Sequence, residues 1–193
     1  MKTVAFNASA RKGGNTSVML KAALAPIEAA GIETELIELG AKPLQGCIAC
    51  YKCFERKDGK CAVKMDAMNE HIAKMIEADA IILGSPTYFA DVSSNMKSLI
   101  DRAGLVTRAN GNLLNRKVGA GVAVARRAGS IQTLNSINLF FQISGMIVPG
   151  STYWSVGFGL QPGDTENDTE GLATMQDLGV NVAWLLKKTV DQD

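Results

Sequence analysis

The apolar positions change period along the chain, and short strand-like runs alternate with stretches spaced as helix faces. Thr3-Val4-Ala5-Phe6 is β-prone and gives way to a small-residue turn from Asn7 to Gly14. Asn15 or Thr16 then caps a helix carrying Leu20, Leu24 and Ile27, with Pro26 expected to kink or shorten its last turn. Gly31 stops that helix, and Glu33 to Leu39 reads as a second strand. An irregular stretch from Gly40 to Lys64 follows, and then a helix from Asp66 with Met68, Ile72, Met75 and Ile76 inward. Ala78 to Gly84 is a continuous apolar run, as expected of a strand covered on both faces, and Ser85-Pro86 is read as its end. Met96, Leu99, Ile100 and Ala103 mark the next helix, and Lys117 to Ala125 is a fourth strand of small residues. Ile131, Leu134, Asn138 and Phe141 predict a fourth helix, and Met146-Ile147-Val148 a fifth strand before Pro149-Gly150. After an aromatic, Gly-rich loop, the acidic run Asp164 to Glu170 opens a last helix with Leu172, Met175, Val182 and Leu185 inward.

Five strands alternating with five helices predict an α/β architecture, a doubly wound parallel sheet with helices on both faces. The 193 residues suit one domain, with an inserted loop at 40–64. Charge then excludes some partners. Lys and Arg number 20 against 19 Asp and Glu, so the net charge of +1 offers no grip on nucleic acid or an anionic membrane. No apolar run approaches the ~18 residues of a membrane span, and no signal-peptide core is visible, so a cytoplasmic protein is expected.

In a doubly wound sheet, ligands sit beyond the carboxyl ends of the strands. The loop after the first strand, Ser9-Ala10-Arg11-Lys12-Gly13-Gly14-Asn15-Thr16-Ser17, can seat a phosphate on helix N–H groups. Ser9, Asn15, Thr16 and Ser17 would add hydrogen bonds there and Arg11 charge; the alternative is an ordinary helix cap. The loop ends in neither GK[ST] nor GxGxxG, so it is neither a Walker loop nor a dinucleotide fingerprint. Without those glycines Glu38 is read as a surface residue rather than a ribose ligand, and His71 is read as a surface residue of its helix.

The second loop carries a resemblance. GSPTYF at 84–89, followed by S-x-x-M-K-x-x-I-D-R at 93–102, is similar to the NAD(P)H-dependent FMN reductases, a flavodoxin-like family. SARKGGNTS resembles that family's phosphate loop, and ARRAG after the fourth strand and STYW after the fifth extend the match over the chain. The resemblance implies the flavodoxin-like strand order 2-1-3-4-5 and FMN as cofactor. Pro86, Thr87, Tyr88 and Phe89 would hold the isoalloxazine, the alternative being that Tyr88 and Phe89 are core aromatics. The third loop would contribute Ala125, Arg126, Arg127 and Gly129, either arginine offsetting charge on reduced flavin, holding a nicotinamide 2′-phosphate or facing solvent. Lys97, Asp101 and Arg102 are given structural work, in helix pairing or across a subunit contact. Tyr153 and Trp154 would cover the flavin, pack across a subunit boundary or fill the core. The family also implies a homodimer or homotetramer.

All four cysteines fall in the inserted loop, as Cys47-x2-Cys50-x2-Cys53-x7-Cys61. A disulfide framework does not suit a cytoplasmic α/β chain of this size. An iron–sulfur cluster or a zinc ion held by all four thiolates are the two strong readings, and the compact CxxCxxC favours a cubane. The pattern resembles the iron–sulfur flavoproteins, a branch of the same family in which a [4Fe–4S] cluster relays electrons. Its seven-residue last gap departs from that pattern towards the long end, and free or redox-active thiols are the further alternative. The expected function is hydride transfer from NAD(P)H to FMN and onward transfer to a quinone, flavin or ferredoxin-like acceptor, with no side-chain general acid. A flavin carrier fed by ferredoxin, with no enzymatic step, is the second reading. A zinc-stabilised interaction module with a vacated pocket is the third.

Overall fold

Val4 and Phe6 point to one side of the sheet and Ala5 to the other, and the same alternation in the neighbouring strands separates two apolar cores. The computed structural model describes residues 1–40 and 42–189; Ala41 of the cysteine loop and residues 190–193 lie outside the described residues. In chain order the elements are β1 (Lys2–Asn7), α1 (Asn15–Ala29), β2 (Glu33–Glu38), α2 (Lys52–Arg56), α3 (Met68–Glu77), β3 (Ala80–Tyr88), β4 (Asp91–Val92), α4 (Ser94–Ala109), β5 (Val118–Ala125), α5 (Ser130–Ile143), β6 (Val156–Phe158) and α6 (Thr169–Thr189). The parallel strands run β2-β1-β3-β5-β6, which is the 2-1-3-4-5 order with β4 set aside. α1 and α6 cover one face, and α3, α4 and α5 the other.

Three boundaries differ from expectation. β3 runs through Ser85-Pro86 to Tyr88 and folds back on β4, pairing Thr87 with Val92 and Tyr88 with Asp91. Pro86 is tolerated because β1 ends at the Asn7–Gly84 pair, so the missing N–H faces no neighbour on that side. The outer strand is split. Ile147 makes one parallel bridge to Val118, Pro149-Gly150 interrupts the run, and pairing resumes at Val156–Phe158 against Ala123–Ala125. The Ser151 to Trp154 segment therefore lies between the two pieces rather than after the strand. α1, finally, continues to Ala29 with Pro26 inside it, because a proline in the last turn leaves few hydrogen bonds to lose.

His71 is half-buried rather than free on the surface. Its ring meets Phe6 edge-on, with centroids 5.8 Å apart, and its buried Nδ1 has no hydrogen-bond partner among the described residues. Burial holds its pKa below the ordinary value. As pH falls through about 6.5, the unfolded chain takes a proton that the folded one refuses, and stability drops. His71→Leu is therefore expected to melt no lower than the native chain at pH 7.5 and to lose less between pH 7.5 and 5.5. Equal losses in thermal scans of the two proteins would refute this.

Candidate functional site

The carboxyl ends of β3 and β5, the loop after β1 and the residue after β5 converge on one open-mouthed cavity of about 180 Å³. Ser9 and Arg11 line it from the first loop, Asn15 and Thr16 from the start of α1, Pro86, Thr87 and Tyr88 from the end of β3, and Val124 and Arg126 from the end of β5 and the residue after it. α1 starts at this cavity with no side chain capping its amino end. The uncapped end leaves helix N–H groups and the positive pole of the helix dipole for an anion. The first loop is set by a short chain of bonds. Ala8 N donates to Gly84 O at 2.9 Å, Ser9 N to Asn7 Oδ1 at 3.0 Å and Ser93 Oγ to Ala8 O at 2.9 Å, tying the ends of β1 and β3 to the start of α4. Gly40 lies under the same loop; a Cβ there would overlap Ser9 O and lie 2.9 Å from Ala10 Cα. Glu38 is not free on the surface, since its Oε2 accepts from Asn7 Nδ2 at 2.8 Å.

A fourth segment closes the cavity. Gly159, Leu160 and Pro162, just past β6, complete its lining. Two first-loop side chains hold this segment: Arg11 Nη1 donates to Leu160 O at 2.7 Å, and Asn15 donates to Gln161 O at 2.9 Å and accepts from Gly163 N at 3.0 Å. The amide of Asn15 is thus engaged in the loop tie. Ser17 is buried on α1 and does not line the cavity.

The second and third loops contact each other. Gly129 has φ +88°, and a Cβ would stand 3.0 Å from Thr87 Cγ2 and 3.3 Å from Ala90 Cα, so only glycine fits both its conformation and its space. Thr133 Oγ1 bonds Thr87 Oγ1 at 3.0 Å across the same contact. Tyr88 is half-exposed at the cavity, and Phe89, at φ 46°, is fully exposed at the hairpin tip outside the lining, so neither is a core aromatic. Of the two arginines Arg126 lines the cavity and Arg127 does not; Ala125 is buried, its carbonyl accepting from Gly159 N at 3.0 Å. Tyr153 and Trp154 pack against each other at a tilt, exposed, beside α5 and α6, so neither fills the core and neither lines the cavity.

The cysteine loop forms a second site that shares no lining residue with the first. Cys47, Cys50, Cys53 and Cys61 all line one pocket, walled by Leu105 and Val106 of α4. All four are free thiols; Cys47 and Cys50 are exposed, and burial raises the pKa of Cys53. Among the described residues no three His, Cys, Asp or Glu side chains converge as a single ion requires. Four thiols on one pocket are the donor set that either a cubane, with one thiolate on each iron, or a zinc ion would take. Ala49, Tyr51 and Lys57 take positive φ around the pocket, a conformation uncommon for such residues. Asn69 holds Cys61 by two amide bonds, donating to its carbonyl at 3.1 Å and accepting from its N–H at 2.7 Å. Arg102 is wholly buried behind the loop. Lys97 and Asp101 pair along the surface of α4.

A model of the NADPH-dependent FMN reductase family matches residues 1–161. The chain is 43% identical to an iron–sulfur flavoprotein of Methanocaldococcus jannaschii, over 97% of this chain and 98% of that one. An iron–sulfur flavoprotein of Methanosarcina thermophila is 34% identical over the full length of both. Among solved structures, an NAD(P)H:quinone oxidoreductase from Methanothermobacter marburgensis superposes with a TM-score of 0.68 at 17% identity, covering 94% of this chain and 96% of that one. An archaeal flavodoxin does so at 0.64 and 19%, covering 97% and 99%. At such identities the structures establish the flavodoxin-like fold alone.

Proposed function

The chain belongs to the NADPH-dependent FMN reductase family, and from that membership we propose that it is an FMN-dependent NAD(P)H oxidoreductase whose cysteine loop carries a [4Fe–4S] cluster. The observation carrying the proposal is the convergence of the loop after β1 and the carboxyl ends of β3 and β5 on one cavity that an uncapped helix end faces. When bound there, FMN supplies the redox chemistry, taking a hydride from NAD(P)H and releasing electrons to an acceptor. Ser9 and Thr16, with the amino end of α1, serve the phosphate, and Arg11 adds charge while holding the Leu160 segment over the site. Pro86, Thr87 and Tyr88 form the wall for the ring, and Arg126 offsets negative charge at the cavity rim. Gly129, Ala125 and Asn15 act one step back, by setting the loops. Ser17, Phe89 and Arg127 have no part in the lining and are left out of this assignment.

The four cysteines would hold the cluster and pass electrons to the acceptor. We further propose a cytoplasmic, single-domain subunit that pairs into homodimers or homotetramers, a reading supported by apolar side chains exposed at Phe89, Leu139 and Ile143. No helix among the described residues is long and apolar enough to cross a membrane. Flavin-loaded protein is expected to oxidise NADH or NADPH steadily with a quinone or ferricyanide as acceptor. Oxidation of neither nucleotide by protein that retains its flavin would overturn the enzymatic reading in favour of an electron carrier.

A further inference from the structure

Arg102 is the largest fully buried side chain in the described structure, and it faces the cysteine pocket rather than solvent or the flavin cavity. Its planar guanidinium spends its donors on one small region. Nη1 donates to Gln45 O at 3.0 Å and to the Asp66 carboxylate, Nη2 donates to Val63 O at 2.8 Å, and Nε donates to Cys61 Sγ at 3.3 Å. Asp66 is itself oriented, accepting from Gln45 N at 2.8 Å and Met68 N at 3.2 Å. The carboxylate thus balances the buried charge and fixes the rotation of the guanidinium, which leaves the Nε–H aimed at sulfur. Leu105 and Val106, one turn further along α4, make that side of the pocket apolar, where a hydrogen bond is stronger than in water.

From this geometry we propose that Arg102 is a positioning residue that sets the reduction potential of the group on the four cysteines, through its Nε–H bond to Cys61 Sγ. The inference rests on the reading that those cysteines hold a [4Fe–4S] cluster. Reduction adds one electron and breaks no bond, and the added negative charge spreads onto the thiolate sulfurs. A donor already aimed at one of them favours the reduced state and raises the potential. Anchoring of the loop at Gln45 and Val63 is a separate, structural contribution.

The test uses the full chain, reconstituted with iron and sulfide under anaerobic conditions. Iron and sulfide content come first, then the one-electron potential by titration followed with electron paramagnetic resonance, for the native chain, Arg102→Lys and Arg102→Met. Lysine keeps a positive charge for Asp66 but loses the planar fork and its Nε–H. Loaded variants are expected to shift the reduction equilibrium at least tenfold towards the oxidised form, about 59 mV for one electron, with lysine failing to restore it. Loaded variants within about twofold of the native equilibrium would overturn the proposal. Should the variants take up no iron, native protein labelled with 15N-arginine decides. A 15N coupling to the reduced cluster in pulsed resonance supports the bond, and its absence overturns it. A native chain that takes up no iron and sulfide would instead remove the cluster reading itself, and the inference with it, a case that metal analysis separates from the others.

Discussion

Gly40→Val is expected to cost the protein its flavin while leaving the fold in place. The residue stands just past β2, and any Cβ there would overlap Ser9 O and come within 2.7 Å of Ser9 C. These are backbone atoms of the first loop, so no side-chain rotation relieves the overlap. The loop itself has to move. It is fixed from the other side by the Ala8–Gly84 and Ser93–Ala8 bonds, so displacement breaks contacts that aim Ser9 and the start of α1 at the cavity. Oriented groups lose most of their binding contribution when shifted by about 1 Å. We expect FMN to bind at least about a hundredfold more weakly, a loss of about 2.8 kcal/mol. Quenching of FMN fluorescence on titration measures it, with far-ultraviolet circular dichroism as the control for folding. An affinity within threefold of the native chain, in a folded variant, would show that the first loop does not hold the cofactor.

Cys50→Ser separates the two sites. If the four thiolates share one cluster, removing one is expected to lower bound iron and sulfide from about four each per chain to near zero. Flavin uptake should stay within threefold of native, because the cysteine pocket and the flavin cavity have no lining residue in common. Cys50 is exposed and outside the apolar core, so its replacement leaves packing unchanged. Retention of native iron content in this variant would mean that Cys50 is not a ligand. Simultaneous loss of flavin would mean that the two sites are not independent.

The alternation of apolar periods made the sheet and its helices legible, since strands covered on both faces and amphipathic helices leave distinct patterns. What escaped was the end of the sheet. Met146-Ile147-Val148 is the more apolar run and drew the fifth strand to itself, yet Pro149-Gly150 breaks it after one bridge and the stronger pairing lies at Val156-Gly157-Phe158. That displacement also hid Gly159, Leu160 and Pro162. With the strand placed at SVGF, the rule that ligand loops follow strands would have led to GLQP. The cavity residues Ser9, Thr16, Pro86, Thr87, Tyr88 and Arg126 were within reach because helix starts and strand ends leave local signals. The sequence offers Arg102 only helix pairing or a subunit contact, since nothing in a linear pattern says that an arginine midway along α4 turns inward to meet residues 36 to 57 positions away. His71 is hidden in the same way: it lies on the polar side of its helix, and the neighbour that meets its ring, Phe6, comes from β1.

A continuous outer strand would present a row of unpaired N–H and C=O groups, a template on which another molecule could stack and begin to aggregate. Here the outer margin consists of a single bridge at Ile147 and the three residues of β6, parted by a proline and a folded-out segment. At the opposite margin, β2 carries Glu33, Glu35 and Glu38, two of them paired to Lys2. Growth by strand addition is therefore disfavoured along both borders of the sheet, at one by interruption and at the other by charge.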